Sequence, residues 1–415
     1  MRIVIAPGKL IENGTVVIRD GIIEAVGAAA TVPDDAERIS GQAGWTVYPA
    51  FIDAASGLGL EAGTTAPAAG RPAPPAGPAG AAHELKAVHP EESALGHIDF
   101  NHPDLARHRR MGFAVAQVLP GKGVFRGEAA VITLRPGPAP ELVLRDHAAA
   151  VVALEASSFM QNQYPSSKFG AVATVRQVLL DAGRLAEWRR RYASQPAGMA
   201  PPEYRSSDDM LQAIIGHQQP VLWVSLANLD PGRLGSLARE FGLGGTLLAR
   251  GLTDRPRDLL AAGLPVLLPL EMPAVPALED PDIAAETSLQ ELQEALRAPR
   301  LPAMLEAAGL RPAFVSYGMK EPQRFTANLA AIVKAGYPAD AALAALTTTP
   351  AELLGLSRQM GSLEVGKQAH LLVVEGELFV DKPLIRQLFI AGQRQDLEAA
   401  DNGRGGRPAG ARPTP

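Results

Sequence analysis

The chain has 415 residues, a length that is enough for two or three domains or for one large α/β barrel with an accessory domain. Of these residues, 47% are hydrophobic and 20% are charged. Lys and Arg number 39 against 44 Asp and Glu, and the net charge of -5 excludes a global field that recruits nucleic acid or an anionic membrane. No cysteine is present, so disulfide bonds, thiolate nucleophiles and cysteine-ligated metal sites are excluded.

The start of the chain lacks a signal-peptide pattern, because Pro7, Gly8 and Lys9 interrupt the stretch that would have to be apolar. The longest uncharged apolar run, residues 259–270, is too short to cross a bilayer and contains Pro265 and Pro269. The sequence therefore predicts a soluble protein with a cytoplasmic location.

Strand patterns occupy both ends of the chain. Runs rich in β-branched residues lie at 2–6, 15–19 and 22–26, and similar patterns return at 368–374 and 384–390. We therefore predict a small composite β-sandwich domain formed by both chain ends, with residues 1–48 as its first part and residues 356–395 as its second. Two unrelated β-domains are the alternative.

The middle of the chain, residues 49–355, alternates between short apolar strands and helical patterns. One such series predicts strands at 221–225, 245–249 and 264–268, separated by helices at 231–241 and 256–262. Strands buried on both faces and joined by helices indicate a parallel sheet. The length of the region predicts an α/β fold with a closed (β/α)8 TIM-like barrel.

Two segments are too poor in large apolar residues to form a packed core. Residues 62–82 consist almost entirely of Ala, Gly and Pro, which predicts a flexible loop within the barrel. Residues 396–415 have the same character with several Arg residues, which predicts a disordered tail.

Three motifs resemble those of one known family. The run P-A-F-I-D-A-A-S-G-L-G at 49–59 is similar to P-G-F-I-D-x-H-x-H-x-G, the first barrel strand of the amidohydrolase superfamily. The runs T-T-T-P-A-E-L-L-G-L at 347–356 and G-S-L-E-V-G-K-Q-A-H-L-L-V-V at 361–374 are similar to its closing motifs. The resemblance, nearest to imidazolonepropionase, implies a (β/α)8 barrel with a composite β-sandwich and a hydrolase of non-peptide (cyclic amide) C–N bonds.

The metal-site positions that the resemblance implies carry other side chains here: Ala55, Gly57, Val224, Arg250 and Tyr317. The first three offer no lone pair to a metal, and the guanidinium of Arg250 would repel a divalent cation or replace its charge. A phenol with an ordinary pKa near ~10 is a poor acceptor of the proton that the family's Asp takes at the position of Tyr317. We therefore predict no metal, no cofactor and metal-independent behaviour.

A subset of bacterial amidohydrolase-like proteins shares this loss of the metal-binding histidines, and further motifs of this chain resemble theirs. These motifs are G-V-F-R-G at 123–127, Y-P-S-S at 164–167 and L-L-P-L at 267–270.

Histidines offer little as an alternative metal site. Five of the eight lie within 26 residues, and none of the steps between neighbours is the i, i+4 spacing of a helical zinc site: His83, His89, His97, His102 and His108. Because Pro90 and Pro103 interrupt the segment, we interpret these histidines as solvated loop residues.

The residues that we place at the C-terminal ends of the barrel strands form the candidate pocket: Asp53, Arg126, Asn228, Arg250, Tyr317 and Lys320. An equally supported alternative is that packed side chains fill the former metal pocket, in which case Tyr317 would occupy its volume and Arg250 would pair with Asp53.

The first functional hypothesis is an amidohydrolase-like pseudoenzyme that binds a ligand or acts as a scaffold. The alternative is an active imidazolonepropionase-like hydrolase. Two kinds of interaction stay open: binding of a small-molecule ligand and self-association into a homo-oligomer. Binding of nucleic acid or of a membrane is not expected.

Overall fold

The computed structural model describes residues 1–60, 82–156, 164–227, 229–249 and 256–397. The predicted flexible loop and the predicted disordered tail therefore lie almost wholly outside the described residues.

The N-terminal strands form one half of the larger sheet of the small domain and a separate two-stranded sheet, as the β-branched runs predict. Their bounds are β1 (Arg2–Ala6), β2 (Lys9–Ile11), β3 (Thr15–Arg19), β4 (Ile22–Gly27) and β5 (Trp45–Pro49). Strand β1 pairs with β2 in the antiparallel sense and with β5 in the parallel sense, while β3 and β4 form a separate two-stranded sheet.

A second, eight-stranded sheet forms the barrel. Its strands are β6 (Phe51–Ser56), β7 (Phe113–Val118), β8 (Phe125–Thr133), β9 (Val143–Ala153), β10 (Val221–Val224), β11 (Gly245–Leu248), β12 (Val266–Pro269) and β13 (Ala313–Val315). Neighbours in the sheet follow chain order, and the Tyr317 N–H donates to the Ala55 carbonyl at 3.0 Å beside β6. The sheet is thus nearly closed, and the predicted α/β fold with a TIM-like barrel is confirmed.

Strand β8 departs from a regular (β/α)8 barrel, because it runs antiparallel to both β7 and β9. The connection between β7 and β8, residues 119–124, is too short for the crossover of a dozen or more residues that parallel strands require. The reversal places the first residues of β8 at the barrel edge where the other strands have their C-terminal ends.

Helices cover the barrel between its strands. Their bounds are α1 (Pro103–Arg110), α2 (Ala139–Leu142), α3 (Lys168–Ser194), α4 (Ser206–Ile215), α5 (Asp230–Glu240), α6 (Pro256–Ala262), α7 (Pro281–Glu286), α8 (Leu289–Arg297), α9 (Leu301–Ala307), α10 (Phe325–Lys334), α11 (Ala339–Leu346) and α12 (Thr348–Leu353). Helix α3 begins at a Ser167 cap, whose hydroxyl accepts from the Gly170 N–H at 3.1 Å. Over the described ranges, no helix combines the length and apolar character needed to cross a membrane.

The C-terminal strands complete the small domain. They are β14 (Leu371–Glu375), β15 (Leu384–Ile390) and β16 (Gln393–Arg394). The large sheet of this domain has the order β16-β15-β14-β5-β1-β2, so β14 from one chain end pairs with β5 from the other. Side chains of both ends pack in one apolar cluster that includes Ile3, Val47, Leu371 and Phe389. The predicted composite β domain is confirmed.

His370 immediately precedes β14 and is buried. Its Nδ1 accepts from the Ala391 N–H at 3.2 Å, so Nε2 carries the proton and donates to Gln368 Oε1 at 2.7 Å. Both ring nitrogens are satisfied in the neutral form, and burial lowers the pKa of His370 from 6.5 to about 4. The neutral side chain therefore has a structural role, because it connects Gln368 to the backbone at Ala391.

We expect the free energy of unfolding to fall in acid because His370 is buried in its neutral form. In the unfolded chain His370 gains a proton below its ordinary pKa of 6.5, whereas in the folded protein it does so only near 4. The stability contributed by neutral His370 is therefore fully present above pH 6.5, and it falls by about 3 kcal/mol as the pH drops to 4, at ~1.4 kcal/mol per pKa unit. Chemical denaturation of the wild type and of His370→Gln across this range would test it. Equal pH slopes for the two proteins would contradict the prediction.

Candidate functional site

One edge of the barrel gathers polar side chains from strands that are distant in sequence. This edge consists of the C-terminal ends of β6 and of β9 to β13. The N-terminal end of the reversed strand β8 lies at the same edge. In barrels of this kind the side chains at this edge form the functional site.

Arg126, the second residue of β8, is the centre of the first polar cluster. Its guanidinium is only 3% exposed and donates to the Tyr317 hydroxyl at 2.9 Å, to Glu155 Oε2 at 3.0 Å and to the Gly123 carbonyl at 3.2 Å. Glu155 Oε2 also accepts from the Gly123 N–H at 2.8 Å. We call Arg126, Tyr317, Glu155 and Gly123 the Arg126 network. It connects the beginning of β8, the segment after β9 and the segment after β13.

Asp53 is the centre of a second, more deeply buried cluster. Its Oδ1 accepts from the backbone N–H groups of Ser316 at 3.2 Å and Ala55 at 3.3 Å, and its Oδ2 accepts from the Ser316 hydroxyl at 2.5 Å. His108 Nε2 lies 3.3 Å from Asp53 Oδ2 and 3.0 Å from Ser316 Oγ. Asp53 is fully buried, and His108 and Ser316 are nearly so. We call Asp53, His108 and Ser316 the Asp53 cluster.

The two clusters account for part of the predicted pocket. Arg126 and Tyr317 are in direct contact, and Asp53 is tied to Ser316, the residue before Tyr317. Lys320 is not in either cluster. Asn228 and Arg250 lie outside the described residues, as does any pairing of Arg250 with Asp53.

The predicted metal-ligand positions do not fit the divalent metal that the fold family implies. Ala55 and Val224 are buried hydrocarbon side chains, and Gly57 has none. The Tyr317 hydroxyl accepts from the Arg126 guanidinium, whose positive charge opposes a cation at that point. Among the residues that the structure describes, no three or more His, Asp or Glu side chains are grouped so that they could hold a metal ion.

The interpretation of His108 as a solvated loop residue is wrong. Helix α1 begins at Pro103, in the first turn, where proline is tolerated because its missing N–H has no helical partner. His102 caps this helix through Nδ1, which accepts from the Asp104 N–H at 3.3 Å. The helix carries His108 to a buried position against the Phe113 ring, with ring centroids 5.2 Å apart.

A cavity of about 530 Å³ opens at the same edge of the barrel, at the C-terminal ends of β10, β11 and β12. Lys320 lines it, as do residues at the ends of β10, β11 and β12 and residues of α8, α9 and α10. None of its described lining residues belongs to the Arg126 network or to the Asp53 cluster.

Comparisons with known proteins agree with the fold. Residues 278–397 match the amidohydrolase family. An amidohydrolase from Thermotoga maritima superposes with a TM-score of 0.72 at 22% identity, over 91% of this chain and 94% of that one. A prolidase complexed with N-methylphosphonate-L-proline gives 0.52 at 15% identity, over 95% and 97% of the two chains. Molinate hydrolase gives 0.50 at 14% identity, over 100% and 98%. No curated protein matches the chain.

The family match and the barrel fold together confirm the resemblance of this chain to the amidohydrolase superfamily. The nearness to imidazolonepropionase and the membership of the subset without metal-binding histidines stay predictions.

Proposed function

We propose that this amidohydrolase-like protein has lost metal-dependent hydrolysis and acts by binding a small ligand at the C-terminal edge of its barrel. The observation that carries the proposal is the contact between Arg126 and Tyr317, at 2.9 Å. A buried guanidinium holds the side chain at the position where the family has its proton-accepting carboxylate.

The chemistry of hydrolysis explains why this contact matters. Metal-dependent hydrolysis requires donors that fix a metal, which lowers the pKa of bound water to about 7, and a base that takes the proton. Ala55, Gly57 and Val224 supply no donor to a metal. The Tyr317 hydroxyl already accepts a hydrogen bond from the Arg126 guanidinium, so one of the lone pairs that could take the proton is occupied.

The Asp53 cluster favours a second candidate, a metal-independent hydrolase of cyclic amide C–N bonds. It contains a carboxylate, an imidazole and a hydroxyl in mutual contact, with His108 Nε2 3.0 Å from Ser316 Oγ. An imidazole within hydrogen-bond reach of a hydroxyl is the arrangement of an activated nucleophile. Against it, Ser316 is only 7% exposed, and its hydroxyl also donates to Asp53.

Metal analysis separates metal-dependent hydrolysis from the proposal. We expect elemental analysis of the protein, after incubation with zinc or manganese and gel filtration, to show below about 0.1 equivalents, because three of the family's ligand positions carry no donor atom. Retention of one or two equivalents would overturn the proposal. A panel of cyclic amides assayed on wild type and Ser316→Ala tests the second candidate, which predicts turnover that the substitution abolishes.

The proposal includes the cytoplasmic location predicted from the sequence, with a small molecule as the partner and neither nucleic acid nor membrane. Self-association stays open, and analytical ultracentrifugation would measure it.

A further inference from the structure

The long connection that follows β12 contains two helices that pack little against the rest of the protein. Helix α7 has no buried residue, and every residue from 277 to 286 is exposed. Helix α8 has one buried residue, Ala295. Most of the stability of a short helix in a protein comes from packing of its apolar face, and these two helices have little of that packing within the chain.

Three leucines of α8 form an apolar stripe that the described protein leaves uncovered. Leu289, Leu292 and Leu296 have the i, i+3, i+7 spacing that places side chains on one side of a helix. Leu289 is 70% exposed, Leu296 is 71% exposed and Leu292 is partly exposed. We call these three residues the Leu289 stripe. Single exposed apolar residues are normal on a protein surface, whereas a group of them surrounded by polar residues is typical of a binding surface.

The segment that contains the stripe is strongly acidic. Residues 271–296 include no Lys, Arg or His, and six carboxylates lie in the second half of this segment: Glu279, Asp280, Asp282, Glu286, Glu291 and Glu294. Among the described residues, no cation forms an ion pair with any of the six. The nearest basic residues in the sequence are Arg297 and Arg300, two cations against six carboxylates.

The hydrogen bonds of these carboxylates stay within the segment. Asp280 Oδ1 accepts from the Asp282 N–H at 3.0 Å, and Glu294 Oε1 accepts from the Gln290 amide at 2.9 Å. Glu291 Oε2 accepts from the Ser288 N–H at 2.8 Å, which completes a capping box at the start of α8. Such bonds leave the negative charge in place, so the surface around the stripe attracts cations.

Apolar surface and charge together define the chemistry of a partner. The apolar side of a second helix is the usual complement of such a stripe, and Lys or Arg side chains beside it would complement the carboxylates. A second copy of this chain would place six further carboxylates against the first six, so repulsion opposes pairing of α8 with itself. Nucleic acid and anionic membranes are opposed by the same charge.

We propose that α8 is a docking surface for a cationic amphipathic helix of a partner protein. The apolar side of that helix packs on the Leu289 stripe, and its Lys and Arg side chains face the carboxylates of residues 279–294. This inference goes beyond the proposed ligand-binding function and does not rest on it, since it uses neither the Arg126 network nor the Asp53 cluster.

Three synthetic peptides test the chemistry of the partner. Each has about 15 residues, long enough for a helix. The first has Leu and Lys in amphipathic helical order, the second has the same residues in scrambled order, and the third has Glu in place of Lys. In fluorescence anisotropy at low salt, we expect the first to bind at least about tenfold more tightly than either of the others, because only it matches both the stripe and the charge. Equal affinity for the ordered and scrambled peptides, or for the Lys and Glu peptides, would overturn the proposal.

Substitution of the stripe assigns the apolar part of the binding. The double variant Leu289→Gln, Leu296→Gln keeps residues that favour a helix, and both positions are exposed, so the melting temperature should change little. We expect it to bind the ordered Lys peptide at least about tenfold more weakly than the wild type. Leu180→Gln with Leu384→Gln is the matched control, because these leucines are 54% and 52% exposed on α3 and β15. Equal losses in the two double variants would overturn the proposal.

A matched pair of charge variants tests the electrostatic part. Asp282→Asn with Glu286→Gln should weaken binding of the ordered Lys peptide several-fold, and about 1 M salt should remove this difference because the screening length is then about 3 Å. Asp34→Asn with Glu37→Gln removes the same net charge from exposed positions of the N-terminal segment and should leave the affinity unchanged. Equal losses for the two pairs would mean that net charge alone is responsible, against the proposal.

Two other occupants of the stripe would also be recognised. Sedimentation that shows a wild-type dimer and a monomeric Leu289→Gln, Leu296→Gln variant would assign the stripe to a second copy. Binding of the ordered Lys peptide only after removal of residues 398–415, which contain Arg404, Arg407 and Arg412, would assign it to the chain's own C-terminal segment. Either result would overturn docking of a partner protein, whereas a monomer that binds the peptide with the full chain present supports it.

Discussion

Replacing Asp53 by Ala should lower the free energy of unfolding by about 3–5 kcal/mol, the range observed when one partner of a buried charged network is removed. The carboxylate is fully buried and accepts from two backbone N–H groups and the Ser316 hydroxyl, with His108 Nε2 3.3 Å away. Alanine leaves these polar groups buried without their acceptor, and each costs about 1–3 kcal/mol when it is unsatisfied. Urea denaturation of the wild type and the variant measures the difference.

Two further variants keep this prediction testable. Ser316→Ala removes one donor and leaves the carboxylate in place, so we expect a loss of about 1–3 kcal/mol. Asp35→Asn is the control, because its carboxylate is 76% exposed and lies 3.7 Å from an exposed Arg19, and the expected change is within about 0.5 kcal/mol. A loss below about 1 kcal/mol for Asp53→Ala would show that the cluster does not hold β6, α1 and β13 together.

Replacing Arg126 by Met should cost about 3–4 kcal/mol, near the lower end of the range for a broken buried ion pair because Glu155 is 32% exposed and retains some water. Methionine fills much of the volume but donates no hydrogen bond, so the Tyr317 hydroxyl and the Gly123 carbonyl lose the arginine donor, and the Glu155 carboxylate keeps only the Gly123 N–H among its described donors. Chemical denaturation would measure the loss.

Arg176→Met provides the matched control for this substitution. Arg176 forms two hydrogen bonds to Glu240, at 2.7 and 2.8 Å, but both side chains are substantially exposed. Exposed pairs of this kind contribute little to stability, so we expect Arg176→Met to cost much less than Arg126→Met. Comparable losses of stability for the two arginine variants would mean that burial of the Arg126 network adds nothing.

A double-mutant cycle that combines Arg126→Met with Tyr317→Phe should give a coupling energy of about 0.5–3 kcal/mol for the direct contact between the two side chains.

Much of the fold could be predicted from local patterns. The runs at 2–6 and 384–390 became strands β1 and β15, and the predicted helix at 256–262 is α6. Each of these segments has one apolar periodicity and clear flanking residues, so local preference and tertiary packing favour the same structure. The pairing of both chain ends followed from the family motifs and the matching strand patterns.

The reversal of β8 could not be read in the same way. Its apolar residues are typical of any strand buried on both faces, and direction is decided only by the length of the preceding connection. Locating that connection, residues 119–124, requires the ends of β7 and β8 to within a residue or two, and strand boundaries are the least certain feature of a sequence.

The candidate site shows the same division. Arg126 and Tyr317 were predicted at one edge because motifs marked the ends of their strands, and they are in contact. His108 and Glu155 were missed as site residues. Pro103 was interpreted as a break when it begins a helix, and Glu155 follows β9 with no motif around it. A Pro at the first helical position, preceded by His102 as a cap, is the signal that could have located His108.

The pairing of β5 with β14 affects how a nascent chain must fold. The edge of β5 that finally binds β14 leaves the ribosome more than 300 residues before its partner, because residues 49 and 371 are neighbours across this ladder. At about 5–20 residues per second, synthesis leaves that edge unpaired for roughly 15–65 s. Throughout this interval an open strand edge can pair with other chains, so the N-terminal sheet is where protection by a chaperone would matter most.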